Sequence, residues 1–544
     1  MRPSDVRKNT LENNGVSKVE VKNKHNTYNS LYHWNNFRVK LVFEAIGVGI
    51  ITGLIVALYR YSLDKAGVIL IEIYQALSAR PLLIPVWIGA LIVMGYAVGL
   101  WVKHEPTIRG SGVPQVEAVL LGKLDISWWR VIIGKLVGGV LTIGAGLSIG
   151  PEGPSVQLGA AVGQGFSRVF KRIKIEEKYL ITSGSSAGLA AVFNAPLAGV
   201  MFALEEFHKN FSPLIMLTAL SAVMSADIVT SEFFGMKPIL AFKSLTVMPV
   251  KYYFYILVLG VILGVLGMTF NKLLLKIQDL YAMQKWLPKE FWIIIPLLIS
   301  VILGFVLPQV LGSGNELVAS IKAGNIPLII LLALLFAKFL FTMISYGSGA
   351  PGGLFLPLLA IGALTGNIYG VVVVHFFHLD SIYISNFIII AMAGCFTAVF
   401  RTPLTATILI TEMTGSFDHL LSLATVSFVA YMVADLLGSK PLNESLLGRI
   451  LHTHGEEIGV GNEKHKSILE FAVCMGSMLD GKQIKEILWP SHCLLVAVKR
   501  GEREIIPKGD TIIYSGDYLI VLTNEDRVSK INDTLIEMAG SCEI

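Results

Sequence analysis

Four short segments hold residue types that can handle an anion without trapping it. The first is Gly110-Ser111-Gly112-Val113-Pro114-Gln115. Glycines allow a tight turn, and proline suits the first turn of a helix. A helix starting here offers free backbone N–H groups and the positive end of its dipole. Ser111 adds a hydroxyl donor. In apolar surroundings this makes an anion site without a full positive charge, which suits an ion that must also leave. An ordinary helix cap is the alternative. The second segment is Gly150-Pro151-Glu152-Gly153-Pro154-Ser155. Glu152 sits among helix-breaking residues in an apolar region, where ionisable groups are costly and mark function. A carboxylate at a helix N-terminus competes for the place of an anion and could swing away when protonated. A simple N-terminal charge is the alternative.

The third segment is Gly352-Gly353-Leu354-Phe355-Leu356-Pro357. Its glycines leave N–H groups accessible and Phe355 can narrow a path, although such turns are common. The fourth is Phe202-Ala203-Leu204-Glu205-Glu206. Neighbours on a helix point about 100° apart, so the two acids cannot share one role. Glu205 has a repeat counterpart in Glu412, whereas Met413 stands where Glu206 would recur. Glu206 is therefore the candidate proton relay, against the alternative of a solvated helix end. Lys135, inside the apolar run Val131–Gly146, supplies either a positive field for anions or half of an internal ion pair.

These segments need a membrane around them, and the composition provides one. The chain has 544 residues, 53% hydrophobic and 15% charged, with a mean hydropathy of +0.65. Soluble globular proteins are about 25% charged. Disorder, coiled coil and collagen are excluded on the same composition. A net charge of +5 is weak support for a nucleic-acid partner, and none is expected. No cleavable signal peptide is recognised ahead of the first apolar stretch near Val39. Cys395, Cys474, Cys493 and Cys542 fit no metal or redox spacing and are expected to be unpaired thiols in a reducing cytoplasm. Neither a phosphate-binding P-loop nor a metal-ligand cluster is present, so no enzymatic activity and no resident cofactor are expected.

Residues 1–38 read as a basic cytoplasmic arm. Residues 39–447 read as the membrane domain, in halves of about 39–240 and 250–447. Val39–Tyr61, Leu82–Val102, Tyr252–Leu273, Phe291–Leu311 and Ile326–Tyr346 are long enough to cross a bilayer of about 30 Å. Val113–Leu121, Pro154–Phe166, Leu354–Gly366 and Pro403–Glu412 are apolar but too short and broken. Such segments are tolerated where protein buries them or where they line a cavity. The halves share Gly110-Ser111-Gly112 with Gly312-Ser313-Gly314, Gly150–Pro154 with Gly349–Gly353, and Ala191-Val192-Phe193-x-x-Pro196-Leu197 with Ala398-Val399-Phe400-x-x-Pro403-Leu404. The offsets are all about 200 residues, and two related halves with a site at their interface are a transporter architecture. Residues 448–467 read as a linker and 468–544 as a small α+β domain. Its expected strands are Leu494–Val498, Thr511–Tyr514 and Tyr518–Leu522, and its closing helix is Val528–Ala539.

Taken together, GSGVP at 110–114, GPEGP at 150–154, FNAPLAG at 193–199 followed by Glu205-Glu206, and GGLFLP at 352–357 resemble the CLC chloride channels and chloride/proton antiporters. The resemblance covers about residues 40–447. It implies an all-α polytopic membrane protein, an inverted repeat of tilted and broken helices, assembled as a homodimer with one anion pathway per subunit. It implies chloride binding by Ser111, Gly112, Glu152, Gly153, Leu354, Phe355 and Asn443. Glu152 matches the outer gating glutamate that also carries the proton. Glu206 matches the inner proton glutamate of the antiporters, with two chlorides expected per proton. Lys135 matches a buried lysine near the pathway.

The sequence departs from that pattern at Pro151, where a basic residue is common, and at Asn443, where a tyrosine usually completes the central site. An asparagine amide can donate but is shorter, so a weaker central site and looser coupling are expected. Residues 468–544 resemble a TrkA-C (RCK C-terminal) module through Leu479-x-Gly481-x-x-Ile484, Ile505-Ile506-Pro507-x-Gly509-Asp510-Thr511 and Gly516-Asp517-x-Leu519. That resemblance implies a dimerising cytoplasmic clamp able to take a small nucleotide such as cyclic di-AMP. The implied location is a bacterial plasma membrane, in contact with lipid and with both termini cytoplasmic. A passive chloride channel of the same fold is the second reading. A cation transport component is the third, although no TVGYG-like filter occurs.

Overall fold

The computed structural model describes residues 15–236, 238–240, 246–284, 286–323, 326–453, 466–501, 503–524 and 528–540. Residues 1–14 of the expected arm, 454–465 of the linker and Cys542 lie outside the described residues. The chain divides into two compact units, Met1–Leu451 and His452–Ile544.

The first half of the membrane unit runs through α1 (Gly15–Ala79), α2 (Ile84–His104), α3 (Val113–Leu120), α4 (Trp128–Gly144), α5 (Glu152–Val169), α6 (Lys174–Phe193), α7 (Pro196–Phe202) and α8 (Pro213–Phe234). The second half runs through α9 (Tyr253–Met283), α10 (Ile294–Val306), α11 (Asn315–Ala323), α12 (Leu328–Gly347), α13 (Phe355–Phe377), α14 (Ile384–Phe400), α15 (Pro403–Thr414) and α16 (Leu420–Leu436). Helix α17 (Leu442–Thr453) follows, so helix continues past residue 447.

Among the described residues, 9 helices are long and apolar enough to cross a membrane. Each of the five long stretches read from the sequence overlaps one of them, although the one at Phe291–Leu311 stops at Val306. Leu354–Gly366, expected to be too short, is instead the start of α13, one of the 9. Its glycines, at Gly362 and Gly366, do not break the helix. They let α14 approach: a Cβ on Gly366 would stand 2.3 Å from Phe387 O. Glycines do the same in the first half, where a Cβ on Gly159 would lie 1.9 Å from Gly184 O, so α5 and α6 meet backbone to backbone. This contact fixes α5, whose first residue is Glu152, inside the protein. Helix α5 is buried along nearly its whole length, from Glu152 to Ser167, which is how a Gly-rich helix too polar for lipid is accommodated.

The second unit is a 4-stranded antiparallel sheet in the order β1-β4-β2-β3, with strands Lys466–Ala472, Cys493–Arg500, Arg503–Ile505 and Asp517–Asn524 in chain order. Helix α18 (Val528–Ala539) closes it at the bounds its pattern suggests. Phe471, Leu479, Val498, Leu519, Val521 and Leu535 share its core. The segment 511–514 is not a strand; Ile512 makes a single bridge to Gln483. The Thr511 amide closes a turn onto Lys508 O, and the Ile513 amide bonds Lys482 O across the single bridge, so the segment pairs with residues 481–484 and not with the sheet. Cys395 and Cys493 are free thiols, whereas Cys474 is disulfide-bonded, which overturns the expectation of unpaired thiols throughout. Sequence spacing misses it because the fold brings the end of α18 back: a Cβ on Gly540 would lie 3.3 Å from Cys474 Cβ.

Candidate functional site

Three glycine-rich loops from both halves are tied into one junction. Gly150 and Gly353 exchange backbone bonds of 2.8 and 2.6 Å. Gly352 N donates to Gly110 O at 3.0 Å, and Gly110 N donates to Gly349 O at 3.4 Å. A Cβ on Gly153 would lie 2.7 Å from Ser111 Cβ, so the Ser111 turn rests directly on the start of α5. The N-terminal ends of α3, α5 and α13 therefore meet here, and their first amides have no partner within their own helix. Three positive dipole ends in a water-poor core form an anion-binding environment without a fixed cation at its centre.

Ser111 is buried and its Oγ accepts from Val113 N at 3.4 Å. Gly112 caps α3 with φ 95, a conformation that favours glycine. Lys135 is fully buried and donates to Gly110 O at 2.6 Å. It holds the turn by a carbonyl, and no ion pair to it is found among the described residues.

Glu152 is fully buried at the first position of α5. Its Oε1 accepts from Leu356 N, in the first turn of α13, at 2.8 Å. The carboxylate thus reaches across to the other half and occupies a donor that an anion would use. Its Oε2 has no partner among the described residues. Added Cβ atoms on Gly150 and Gly353 would stand 2.2 and 2.7 Å from Oε2, so this closed position depends on both glycines. Leu354 precedes α13, and Phe355 opens it. The Phe355 ring stacks edge-on against Phe396 and Phe400 at centroid distances of 4.8 and 4.7 Å, and against Phe202 at 5.9 Å.

Helix α7 ends in a π-helical turn, Ala203–His208. Glu205 and Glu206 both lie in this turn, and such turns cluster at functional sites. Glu205 accepts from Leu404 N at 3.1 Å and Thr405 N at 2.7 Å, capping α15. Glu412 returns the contact, accepting from Leu197 N at 2.9 Å and Ala198 N at 2.8 Å, which caps α7. The repeat pair is therefore architectural. Glu206 is 7% exposed, and its Oε1 accepts from Asn443 Nδ2 at 2.7 Å. It lines a cavity of about 240 Å³ with Glu117, Lys209 and Glu444. Asn443 is thus found on the Glu206 carboxylate.

Several contributors escape the motif reading. The amide that meets Glu152 belongs to Leu356, one residue beyond the expected Leu354 and Phe355. Glu117 is a buried acid on α3 whose signal, a carboxylate three residues past Pro114, is present in the sequence. Lys338 repeats Lys135 at the common offset and donates to Val310 O and Gly312 O at 2.9 and 2.8 Å.

Two related helical halves, meeting at a carboxylate-closed cluster of helix N-termini, define a polytopic membrane protein with its site at the repeat interface. The family model described as voltage gated chloride channel matches residues 89–435, and the chain belongs to that family. A TrkA-C domain matches residues 468–535. An H(+)/Cl(-) exchange transporter, ClcA, of Salmonella agona is 33% identical over 434 residues, covering 78% of this chain and 91% of that protein. ClcA of Salmonella arizonae is 35% identical over 367 residues, covering 66% and 78%. The crystal structure of a slow cyanobacterial Cl-/H+ antiporter aligns with TM-score 0.71 at 32% identity, covering 76% of this chain and 99% of that one. A CLC-type fluoride/proton antiporter aligns with TM-score 0.61 at 25% identity, covering 73% and 96%.

Proposed function

We propose that this protein exchanges chloride for protons across the membrane, with chloride held at the Ser111–Phe355 junction and protons moving between Glu206 and Glu152. The observation that carries this reading is the pair of buried acids with separate jobs. Glu152 closes the anion path on the Leu356 amide, and Glu206 caps no helix but holds Asn443 at the wall of a second cavity. Protonation weakens the hold of Glu152 on an amide donor, so the gate opens as it picks up its proton. The same carboxylate cannot occupy the site together with an anion, which couples the two fluxes. Asn443 positions Glu206 through one amide hydrogen, leaving the second for an anion. The relatives named above as Cl-/H+ exchangers support this assignment.

The test is purified protein in liposomes under a chloride gradient. Proton uptake should accompany chloride efflux, and Glu206→Gln should abolish the proton flux while chloride still moves. Chloride flux without linked protons in the wild type would favour the second reading, a passive channel. For the C-terminal domain the proposal is a dimerising cytoplasmic module that takes a small nucleotide. Calorimetry of the full-length protein with cyclic di-AMP should register binding, and silence with all nucleotides tried would leave it a clamp alone.

A further inference from the structure

Tyr346 lies at the end of α12, 4% exposed, with its hydroxyl on the Ser111 turn. Its Oη is 3.5 Å from Ser111 Oγ, and a Cβ on Gly110 would come within 3.3 Å of it. Good O–H···O bonds are about 2.7–2.8 Å long. The contact is therefore slack. Ser111 Oγ has one further partner among the described residues, the Val113 amide at 3.4 Å, which is also long. Ser111 Oγ thus accepts two long bonds, from Tyr346 and Val113, while no acceptor for its own hydroxyl hydrogen is found among the described residues; Tyr346, which also bonds to the Ser111 backbone, faces the same point.

Beside them is a cation. Arg109 directly precedes the turn, half-buried. Its guanidinium lies over the Trp292 ring at 5.5 Å, and a Cβ on Gly349 would stand 2.5 Å from its Nε. The side chain therefore crosses the loop that accepts the Gly110 amide. No carboxylate pairs with it among the described residues. Half-buried charge without a counter-ion is costly, and a mobile anion relieves that cost.

We infer that Tyr346 and Arg109 are anion-selecting residues of this site. The Tyr346 hydroxyl is a second donor to the anion held by Ser111, and the Arg109 guanidinium, held back on Trp292, supplies the field that draws anions to it. Distance keeps the cation from trapping the ion. The inference rests on the reading that Ser111 holds the transported anion.

Chloride titration calorimetry on the purified full-length protein tests it, with Ser111→Ala, Tyr346→Phe, Arg109→Gln and Arg109→Lys. Tyr346→Phe keeps the ring and should weaken chloride about fivefold to tenfold, the worth of one hydrogen bond. Arg109→Gln should weaken chloride at low ionic strength, with the deficit shrinking as inert salt is added, and Arg109→Lys should restore most of the affinity. Wild-type binding by Tyr346→Phe, with binding weakened in Ser111→Ala, overturns the inference and leaves the chloride site standing. Unchanged binding in Ser111→Ala overturns both. Should Tyr346→Phe lose its fold, the arginine pair decides: a loss indifferent to salt, or one that Lys does not rescue, overturns the inference.

Discussion

In the first half, Lys135 donates to Gly110 O, the turn is packed on α5, and Tyr346 stands against Gly110. In the second half, Lys338 donates to Val310 O and Gly312 O, but a Cβ on Gly312 would meet nothing within 4 Å. Gly312, Ser313 and Gly314 line a cavity of about 1180 Å³. The same buried lysine and the same Gly-Ser-Gly turn are thus present twice. One turn is enclosed by two other helix N-termini and a carboxylate, and the other is packed at Gly314, where a Cβ would stand 2.7 Å from Ala360 Cβ, but borders the cavity at Gly312. The lysine clamp is architecture inherited by both halves. The chemistry comes from what the first turn is pressed against, since donors at a helix end gain strength as water is removed.

The largest expected effect comes from the groups that make the first half different. Glu152→Gln should uncouple transport: proton flux in liposomes should fall to the leak of protein-free vesicles while chloride flux persists and loses its pH dependence. Gly150→Ala and Gly353→Ala should push the carboxylate off the Leu356 amide and mimic this in part. Retention of coupled exchange by both alanine variants would mean the closed gate does not depend on that close approach.

Next come the two clamps. Lys338→Met leaves two carbonyls unsatisfied, and each buried orphan costs about 1–3 kcal/mol, so the thermal midpoint in detergent should fall. Lys135→Met should destabilise similarly or less and, unlike Lys338→Met, should also weaken chloride binding. Equal effects on chloride from both would erase the distinction between the halves.

Asn443→Ala removes the partner of Glu206 and should slow proton flux severalfold with smaller change in chloride flux. Asn443→Tyr should tighten chloride if position 443 also serves the anion; unchanged isotopic chloride affinity would confine the residue to Glu206.

The smallest effect lies outside the membrane. Asp517 is buried, and burial pushes its carboxyl up. The Arg500 bonds of 2.7 and 2.8 Å and the Tyr514 amide outweigh that and hold it below its ordinary value. A depressed carboxyl adds stability above the unfolded value of about 3.9 and loses it as the pH falls through the folded one. The C-terminal domain should therefore loosen below about pH 4. Arg500→Gln should cost about 1–2 kcal/mol, read as faster hydrogen exchange in the Asp517–Asn524 strand.

Much of this architecture is legible in the amino-acid sequence. The glycine-proline segments, the repeat and the odd acid of the Glu205-Glu206 pair all rest on residue type and spacing, which a sequence carries openly. Glycine misleads at Leu354–Gly366, because in a membrane it marks close helix contact as readily as a break. Lys338 is visible at the common offset, but lysine in an apolar helix gives no hint of its carbonyl partners. The glycine-rich segment signals free amides, but that the Leu356 amide is the one meeting Glu152 is not legible, since it depends on how the two halves pack. Neither is the Cys474 disulfide, set by how the last helix returns.

The central claim is that the Glu152 carboxylate stands in an anion's place. Crystals of wild type and Glu152→Gln soaked in bromide would locate that ion by anomalous scattering. Bromide is expected beside the Leu356 amide in Glu152→Gln and absent there in the wild type. Bromide at Ser111 alone in both proteins would contradict that claim.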